Sequence, residues 1–190
     1  LVLDGCVQPA MAPNINASAA RVLDALGVQL IVAPKAGCCG ALRYHLNDQD
    51  AALDDMRRNI DAWWPYVGQV EAIVMTASGC GVTVKEYGHL LAHDSAYAEK
   101  ANRISELTRD LSEVMPQFEQ ELGERLKGKI AQRVAYHPPC TLQHGQQIRG
   151  QVEGVLRAAG VDVKLCADSH LCCGSAGTYS VLQPELATQL

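Results

Sequence analysis

The tripeptide Cys-Cys-Gly occurs twice in this chain, at residues 38–40 and 172–174, each time after another cysteine. From Cys6 to the first copy there are 31 intervening residues, and from Cys140 to the second copy there are again 31. The stretch before each copy also has the same order of features: a helical pattern, a glycine, an apolar strand pattern and a loop. The identical spacing and the shared order predict an internal duplication.

Short apolar runs alternate with helical patterns along the chain, which predicts an α/β fold. Strands are predicted at 1–6, 28–34, 70–77, 133–140 and 161–167. Helices are predicted at 14–26, 48–64, 82–91, 95–115 and 147–159. We expect two repeated βαβ units with parallel sheets, the second of them truncated. The charged stretch 119–130 is expected to connect a first cysteine-rich domain at 1–118 to a second, incomplete one at 119–190.

All the cysteines except Cys166 fall in loops that follow predicted strands, where parallel sheets place their sites. The first cysteine set is Cys6, Cys38, Cys39 and Cys80, and the second cysteine set is Cys140, Cys172 and Cys173. The second-half counterpart of Cys80 would fall beyond residue 190, so we expect the second set to lack one ligand. Cys166 has no counterpart in the first half and is predicted to be a small buried hydrophobic residue.

The thiols are clustered, and 8 cysteines in 190 residues fall below the density of a disulfide scaffold. Both observations favour metal binding or redox chemistry over disulfides. Four thiolates suit an iron–sulfur cluster or a tetrahedral zinc ion. Adjacent cysteines favour the cluster, because neighbouring side chains reach different irons more easily than they chelate one small ion. Zinc at the cysteine sites is the alternative.

Composition and motifs exclude several other classes. With 16 basic and 21 acidic residues, a net charge of −5 and no basic cluster, nucleic acid is not expected as a partner. The apolar runs have the length of strands and cannot span a bilayer. Acidic residues form no convincing acid–base pair, so no catalytic residue is predicted, and no glycine motif for a dinucleotide is present. The chain opens on LVLDGC without a methionine, and we expect a fragment of a longer protein.

Three histidines, His137, His144 and His170, lie close in sequence to the second cysteine set. They could donate hydrogen bonds to that site or relay a proton, and an ordinary role in the loop is the alternative.

Four stretches of the sequence carry a resemblance to a known family: GCCGALRYHLN, NIDAWWP, TASGCGVTVKEYG and CCGSAGTY followed by LQPE. Together they resemble the iron–sulfur subunits of bacterial glycolate oxidases, which are glycolate dehydrogenases. The paired pattern of Cys, 31 residues and Cys-Cys-Gly is similar to the cysteine-rich CCG domains shared with heterodisulfide reductase and with lactate-utilisation proteins.

This resemblance implies a [4Fe–4S]-type centre at the CCG cysteines and electron transfer from a flavin-containing subunit that oxidises glycolate to glyoxylate. It implies an oxidoreductase subunit without flavin, not active alone, in the cytoplasm, with the intact complex peripherally attached to the inner face of the cytoplasmic membrane. It also implies an N-terminal ferredoxin-like domain with two further clusters, whose C-x2-C-x2-C-x3-C-P run does not occur in this sequence.

The chain departs from the heterodisulfide reductase pattern at two positions. Ala77 stands where that motif has a further cysteine, which leaves four thiolates in place of five, and Pro138 stands where another cysteine beside Cys140 is half expected. The five-cysteine double cluster and disulfide-reducing catalysis are therefore not carried over. Two alternative functions stay open: a zinc-holding module that docks the flavin subunit, and a thiol–disulfide enzyme of the heterodisulfide reductase type.

Overall fold

A computed structural model of the chain describes residues 1–175 and 177–189. The helices are α1 (Gln8–Met11), α2 (Asn14–Ala25), α3 (Ala41–His45), α4 (Gln49–Trp63), α5 (Ser78–Lys85), α6 (Tyr87–Leu90), α7 (Ala98–Leu107), α8 (Leu111–Val114), α9 (Glu119–Leu126), α10 (Gln151–Ala158), α11 (Tyr179–Leu182) and α12 (Pro184–Ala187). The strands are β1 (Ile73–Met75), β2 (Thr108–Asp110), β3 (Arg133–Tyr136) and β4 (Asp162–Leu165).

The first half is built on a parallel sheet. Strand β1 pairs in parallel with β2, with Ile73 opposite Thr108. On the other side of β1, Val2 bridges to Val74 and also to Val32, both in parallel. The order across the sheet is therefore the segment around Val32, the segment around Val2, β1 and β2. The predicted first strand is present as this bridging segment, and the predicted second strand is reduced to one bridge.

The second half repeats the same pairing on a smaller scale. Strand β3 pairs in parallel with β4 from Arg133 opposite Asp162 to Tyr136 opposite Leu165. As in the first half, the strand before a lone cysteine lies beside the strand before Cys-Cys-Gly. The predicted α/β class with parallel strand pairs is confirmed.

The main core lies under the first sheet. Met56, Ile60 and Trp63 of α4 are fully buried, and they pack with Tyr87 of α6 and Ile104 of α7. These apolar residues recur on α4 at helical spacing, which is why the predicted helix 48–64 forms as expected, with Asp48 directly before its first residue. This core fixes α4 and α6 behind the loop that carries Cys38 and Cys39.

A second core joins the two halves. Leu23 and Leu26, from α2 and its C-terminal end, pack with Met115 and Leu122, and Val155 of α10 packs against this cluster. The stretch 119–130 is expected from its charge to be a connection, but α9 forms there. Its Leu122 is buried in this core, and α9 packs against α10.

The predicted helix 95–115 is wrong in its middle. Helix α7 ends at Leu107, and the chain continues as strand β2 before α8 begins. Thr108, β-branched and fully buried, enters the sheet opposite Ile73, and its hydroxyl donates to the carbonyl of Ile104. The backbone groups along β1 supply hydrogen bonds that helical periodicity does not reveal.

The predicted helix 82–91 begins earlier than expected. Helix α5 starts at Ser78, directly after β1, and α6 follows after a break at Glu86. Two glycines in SGCG make this stretch resemble a loop, but Ala77 before it is extended and lets a helix begin at once.

In the described part of the chain, no helix has the length and apolar content needed to cross a bilayer.

Candidate metal centre

Two loops and the start of helix α5 carry the first cysteine set, and they meet at one edge of the first sheet; the prediction of a loop at Cys80 is wrong, because α5 has already begun there. Cys6 follows the segment around Val2, and the Cys38–Cys39 pair follows the segment around Val32. Cys80 lies in the first turn of α5, just after β1. Because these strands are parallel, their carboxyl ends bring the two loops and the start of α5 to the same side of the sheet.

The thiols of the first set lie as two close pairs. Sγ of Cys6 lies 3.4 Å from Sγ of Cys38, and Sγ of Cys39 lies 3.3 Å from Sγ of Cys80. Two neighbours in sequence therefore face thiols from different segments, Cys6 in a loop and Cys80 in α5. Within the described residues, no three or more His, Cys, Asp or Glu side chains form a preformed site for a metal ion. The structure brings these four cysteines together as two pairs, and their role as ligands stays a prediction.

The glycine after the cysteine pair is required by the backbone. Gly40 has φ +88°, and a Cβ atom at this position would lie 2.9 Å from the carbonyl oxygen of Ala52 in α4. Its N–H donates to Sγ of Cys38 over 3.5 Å. A side chain at residue 40 would therefore be strained and would push the loop away from α4.

The proton affinities of the thiols reflect their pairing. Burial, together with the hydrogen bond to Cys38, raises the pKa of Cys6 to about 11. The hydrogen bond with Cys80, followed by burial, raises the pKa of Cys39, and the same bond lowers the pKa of Cys80. Metal binding needs thiolates, so loading the first set must release protons.

Residues that the sequence patterns did not predict hold the backbone of the loop that carries Cys38 and Cys39. Asn59 of α4 donates to the carbonyl of Cys38 over 2.7 Å, and Tyr87 of α6 donates to the carbonyl of Cys39 over 2.8 Å. Arg58 also donates to the carbonyl of Cys38, over 3.1 Å. The sequence feature that could have revealed Asn59 is a polar residue on the apolar face of α4, between Met56 and Trp63.

The second cysteine set repeats part of this geometry. Burial, followed by the nearby Cys172, raises the pKa of the Cys140 thiol, and Cys173 adds to the effect. The N–H of Gly174 donates to Sγ of Cys172 over 3.4 Å, as Gly40 does to Cys38. Cys172 and Cys173 are exposed, whereas Cys39 is almost fully buried.

Side chains from the loop around Cys140 hold the loop around Cys172. Three successive carbonyls, of Ser169, His170 and Leu171, are hydrogen-bonded by Gln143, His144 and His137 in that order, over 2.8, 3.1 and 3.2 Å. His137 and His144 therefore bond to the backbone of the second cysteine loop. His170 contributes its backbone carbonyl to this arrangement.

The two cysteine sets lie on either side of one helix contact. A π-helical turn (Thr141–Gly145) follows Cys140 directly and packs against α5, which carries Cys80. The hydroxyls of Ser78 and Thr141 are 2.7 Å apart. A Cβ atom on Gly145 would lie 2.7 Å from Cγ2 of Val82, so the two elements approach as closely as a glycine allows.

The prediction for Cys166 is wrong, because this cysteine is exposed. Its N–H donates to the carbonyl of Tyr136, which extends the pairing of β3 and β4 by one bond. Successive side chains along a strand point to opposite faces, so Cys166 lies on the face of the exposed Lys164 and not on the face of the buried Val163. It contributes to neither cysteine set.

The donor chemistry of the first set fits an iron–sulfur centre. Thiolates are the ligands that hold such clusters, and glycine N–H groups directed at sulfur are one of the means by which a protein tunes them. The first set offers four thiols from two loops and helix α5, and Gly40 supplies one such N–H group.

Comparison with known proteins decides the family. The CCG family, described as a cysteine-rich domain, matches residues 1–85 and 134–190. The chain belongs to the CCG family. The two matched segments of this CCG protein each contain a lone cysteine followed by Cys-Cys-Gly.

Two longer relatives of this CCG protein are named as iron–sulfur subunits. It is 52% identical to the glycolate oxidase iron-sulfur subunit of Escherichia coli K12, over all of this chain and 46% of the relative. It is 27% identical to a probable glycolate oxidase iron-sulfur subunit of Bacillus subtilis 168, over 98% of this chain and 41% of the relative. The lactate utilization protein A of Geobacillus thermodenitrificans is 25% identical over 93% of this chain and 72% of that protein. The predicted resemblance is confirmed, and the chain spans less than half the length of both glycolate oxidase subunits.

Proposed function

We propose that this CCG protein is part of the iron–sulfur electron-transfer subunit of a glycolate dehydrogenase. A flavin-containing partner subunit oxidises glycolate to glyoxylate and passes the electrons on, and this chain is a non-flavin part that is not active alone. The identity of 52% to an iron-sulfur subunit named for glycolate oxidase supports this choice of substrate.

One observation carries the proposal: Cys38 and Cys39, adjacent in sequence, each have Sγ within 3.4 Å of a thiol from a different segment, Cys6 in a loop and Cys80 in α5. Such an arrangement suits a cluster with several irons, because each neighbour then serves a different part of it. We assign the first cysteine set to a centre of the [4Fe–4S] type. When bound, such a centre accepts and returns single electrons.

The second cysteine set is assigned to a second centre. Cys140 lies near Cys172 and Cys173, and the N–H of Gly174 approaches sulfur as the N–H of Gly40 does. Three thiols leave one position for a further ligand. This repeated geometry supports iron–sulfur binding in both halves.

We also propose that the chain contains two CCG units, at 1–118 and 119–190. The separate matches to 1–85 and 134–190 support two units. All eight cysteines are free thiols, which a reducing cytoplasm preserves, so we place the protein there. Peripheral attachment of the intact complex to the inner face of the cytoplasmic membrane is part of the same proposal.

The test is anaerobic purification of the full chain, with iron, acid-labile sulfide and zinc measured on one sample. We expect iron and sulfide in similar amounts and a broad visible absorbance from thiolate-to-iron charge transfer that bleaches with dithionite. A colourless protein that holds stoichiometric zinc would contradict the proposal and favour a structural module, because zinc has no redox chemistry.

A further inference from the structure

A buried amide interrupts the apolar face of α4. Met56, Ile60 and Trp63 on this face are 0% exposed, and Asn59 among them is also 0% exposed. Burying an amide is costly unless its polar atoms are hydrogen-bonded. The partners of Asn59 therefore indicate why an amide occupies a core position.

The partners of Asn59 belong to the first cysteine loop and to α6. Its Oδ1 accepts from the N–H of Gly37 over 2.8 Å, and its Nδ2 donates to the carbonyl of Cys38 over 2.7 Å. The same Nδ2 donates to the hydroxyl of Tyr87 over 3.2 Å. That hydroxyl in turn donates to the carbonyl of Cys39 over 2.8 Å, and Tyr87 is 0% exposed.

Residues 37–39 have no helix or strand to fix their backbone. Two buried side chains instead hold the N–H of Gly37 and the carbonyls of both cysteines. Because each peptide group is planar, fixing these groups limits the directions in which the two Cβ atoms leave the chain. This restraint sends the thiol of Cys38 toward Cys6 and the thiol of Cys39 toward Cys80.

We propose that Asn59 and Tyr87 are positioning residues that direct Cys38 toward Cys6 and Cys39 toward Cys80 before any metal is bound. The inference deepens the proposed function and rests on it only for the iron–sulfur centre itself. Arg58 also reaches the carbonyl of Cys38, but its side chain is 44% exposed, so water can replace its bond. The buried pair has no such replacement.

The first experiment needs no metal. The full cluster-free chain is treated with oxidised glutathione, which accepts two electrons and two protons from each thiol pair that closes and becomes two reduced glutathione molecules. Peptide mapping of the wild-type chain is expected to show Cys6–Cys38 and Cys39–Cys80 as the main disulfides, because their Sγ atoms lie 3.4 Å and 3.3 Å apart.

Tyr87→Phe removes the hydroxyl that holds the carbonyl of Cys39 and that also accepts from Asn59. We expect the yield of Cys39–Cys80 relative to other pairings of Cys39 to fall about fivefold, the equivalent of one net hydrogen bond. Tyr97→Phe is the control for loss of a tyrosine hydroxyl, because it removes an exposed bond of 2.7 Å to Asp61, also on α4. The control is expected to give the wild-type map.

Asn59→Asp is the second variant, in case the phenylalanine variant does not fold. It keeps an acceptor for Gly37 but replaces the donor to Cys38 and Tyr87 with a carboxylate oxygen, so the disulfide map should scramble more strongly. Unchanged maps in the folded variants would overturn the positioning role.

The second experiment measures the reduction potential and visible spectrum of the reconstituted chain. Tyr87→Phe is expected to shift the potential and lower iron retention against a chelator, while Tyr97→Phe changes neither. If the wild-type chain holds no iron, the proposed function fails, yet the disulfide maps still decide the role of Asn59 and Tyr87. If iron binds normally and the maps and potential of every folded variant equal the wild type, the positioning role alone is wrong.

Discussion

The thiols of the first cysteine set differ strongly in their surroundings. Cys39 is 3% exposed, while Cys6 is exposed and Cys38 and Cys80 are half-buried. A centre held by these residues would have one side against the protein core and one side toward solvent. Burial lowers the dielectric constant around charge, so the Cys39 side would contribute most to the potential of the centre.

At this scale, Cys39→Ser is expected to abolish the centre at the first cysteine set, because a buried hydroxyl cannot replace a thiolate that faces Cys80. Iron and acid-labile sulfide per chain, measured after anaerobic reconstitution, should fall by the content of one centre. Cys166→Ser is the control, since that thiol is exposed and belongs to neither set. Unchanged iron in Cys39→Ser would refute the ligand role of Cys39.

At the scale of helices and strands, sequence periodicity predicted the elements whose apolar residues repeat regularly. Helix α4 was predicted nearly to its bounds, because Met56, Ile60 and Trp63 all face the core. Strand β2 could not be predicted, because its three residues pair with β1 across more than 30 positions of sequence, and such pairing leaves no local pattern.

The candidate site was predictable only in part, for a related reason. The strand–loop positions of the cysteines predicted that the first set would converge, and the structure brings these thiols together. The hydrogen bonds of Asn59 and Tyr87 were not predictable, because both residues lie far from the cysteines in sequence and contact them only after α4 and α6 have packed.

The contact between α5 and the π-helical turn gives a prediction at the element scale. Gly145→Ala would place a Cβ atom 2.7 Å from Cγ2 of Val82, a β-branched side chain that moves little. We expect this overpacking to lower the free energy of unfolding by about 1–3 kcal/mol. Urea denaturation followed by circular dichroism measures the effect.

Gly79→Ala is the matched control for that contact, because a Cβ atom on Gly79 of α5 would meet nothing within 4 Å. Replacing this helical glycine should leave stability unchanged or raise it by up to about 1 kcal/mol. Equal changes in the free energy of unfolding from the two substitutions would show that the close approach at Gly145 does not contribute to stability.

At the scale of the whole molecule, the two proposed CCG units share a core. Leu23 and Leu26 come from the first half, and Leu122 and Val155 come from the second. Buried apolar surface that spans both halves couples their unfolding, because neither half can open without exposing side chains of the other.

This shared core predicts one cooperative unfolding transition for the cluster-free chain. Leu122→Ala should lower the free energy of unfolding by about 2–4 kcal/mol and move the whole transition, as far-ultraviolet circular dichroism and tryptophan fluorescence would both report. Both tryptophans, Trp63 and Trp64, lie in the first half, so their fluorescence reports on the half that does not contain Leu122. Two separate transitions, with fluorescence unaffected by the substitution, would show that the halves are independent.

The same core has a consequence for synthesis on the ribosome. Helix α2 is made early, but the partners of Leu23 and Leu26 at residues 115, 122 and 155 are translated roughly a hundred residues later. During that interval the nascent first half carries an uncovered apolar surface, which is where a chaperone would bind or where two growing chains would stick together.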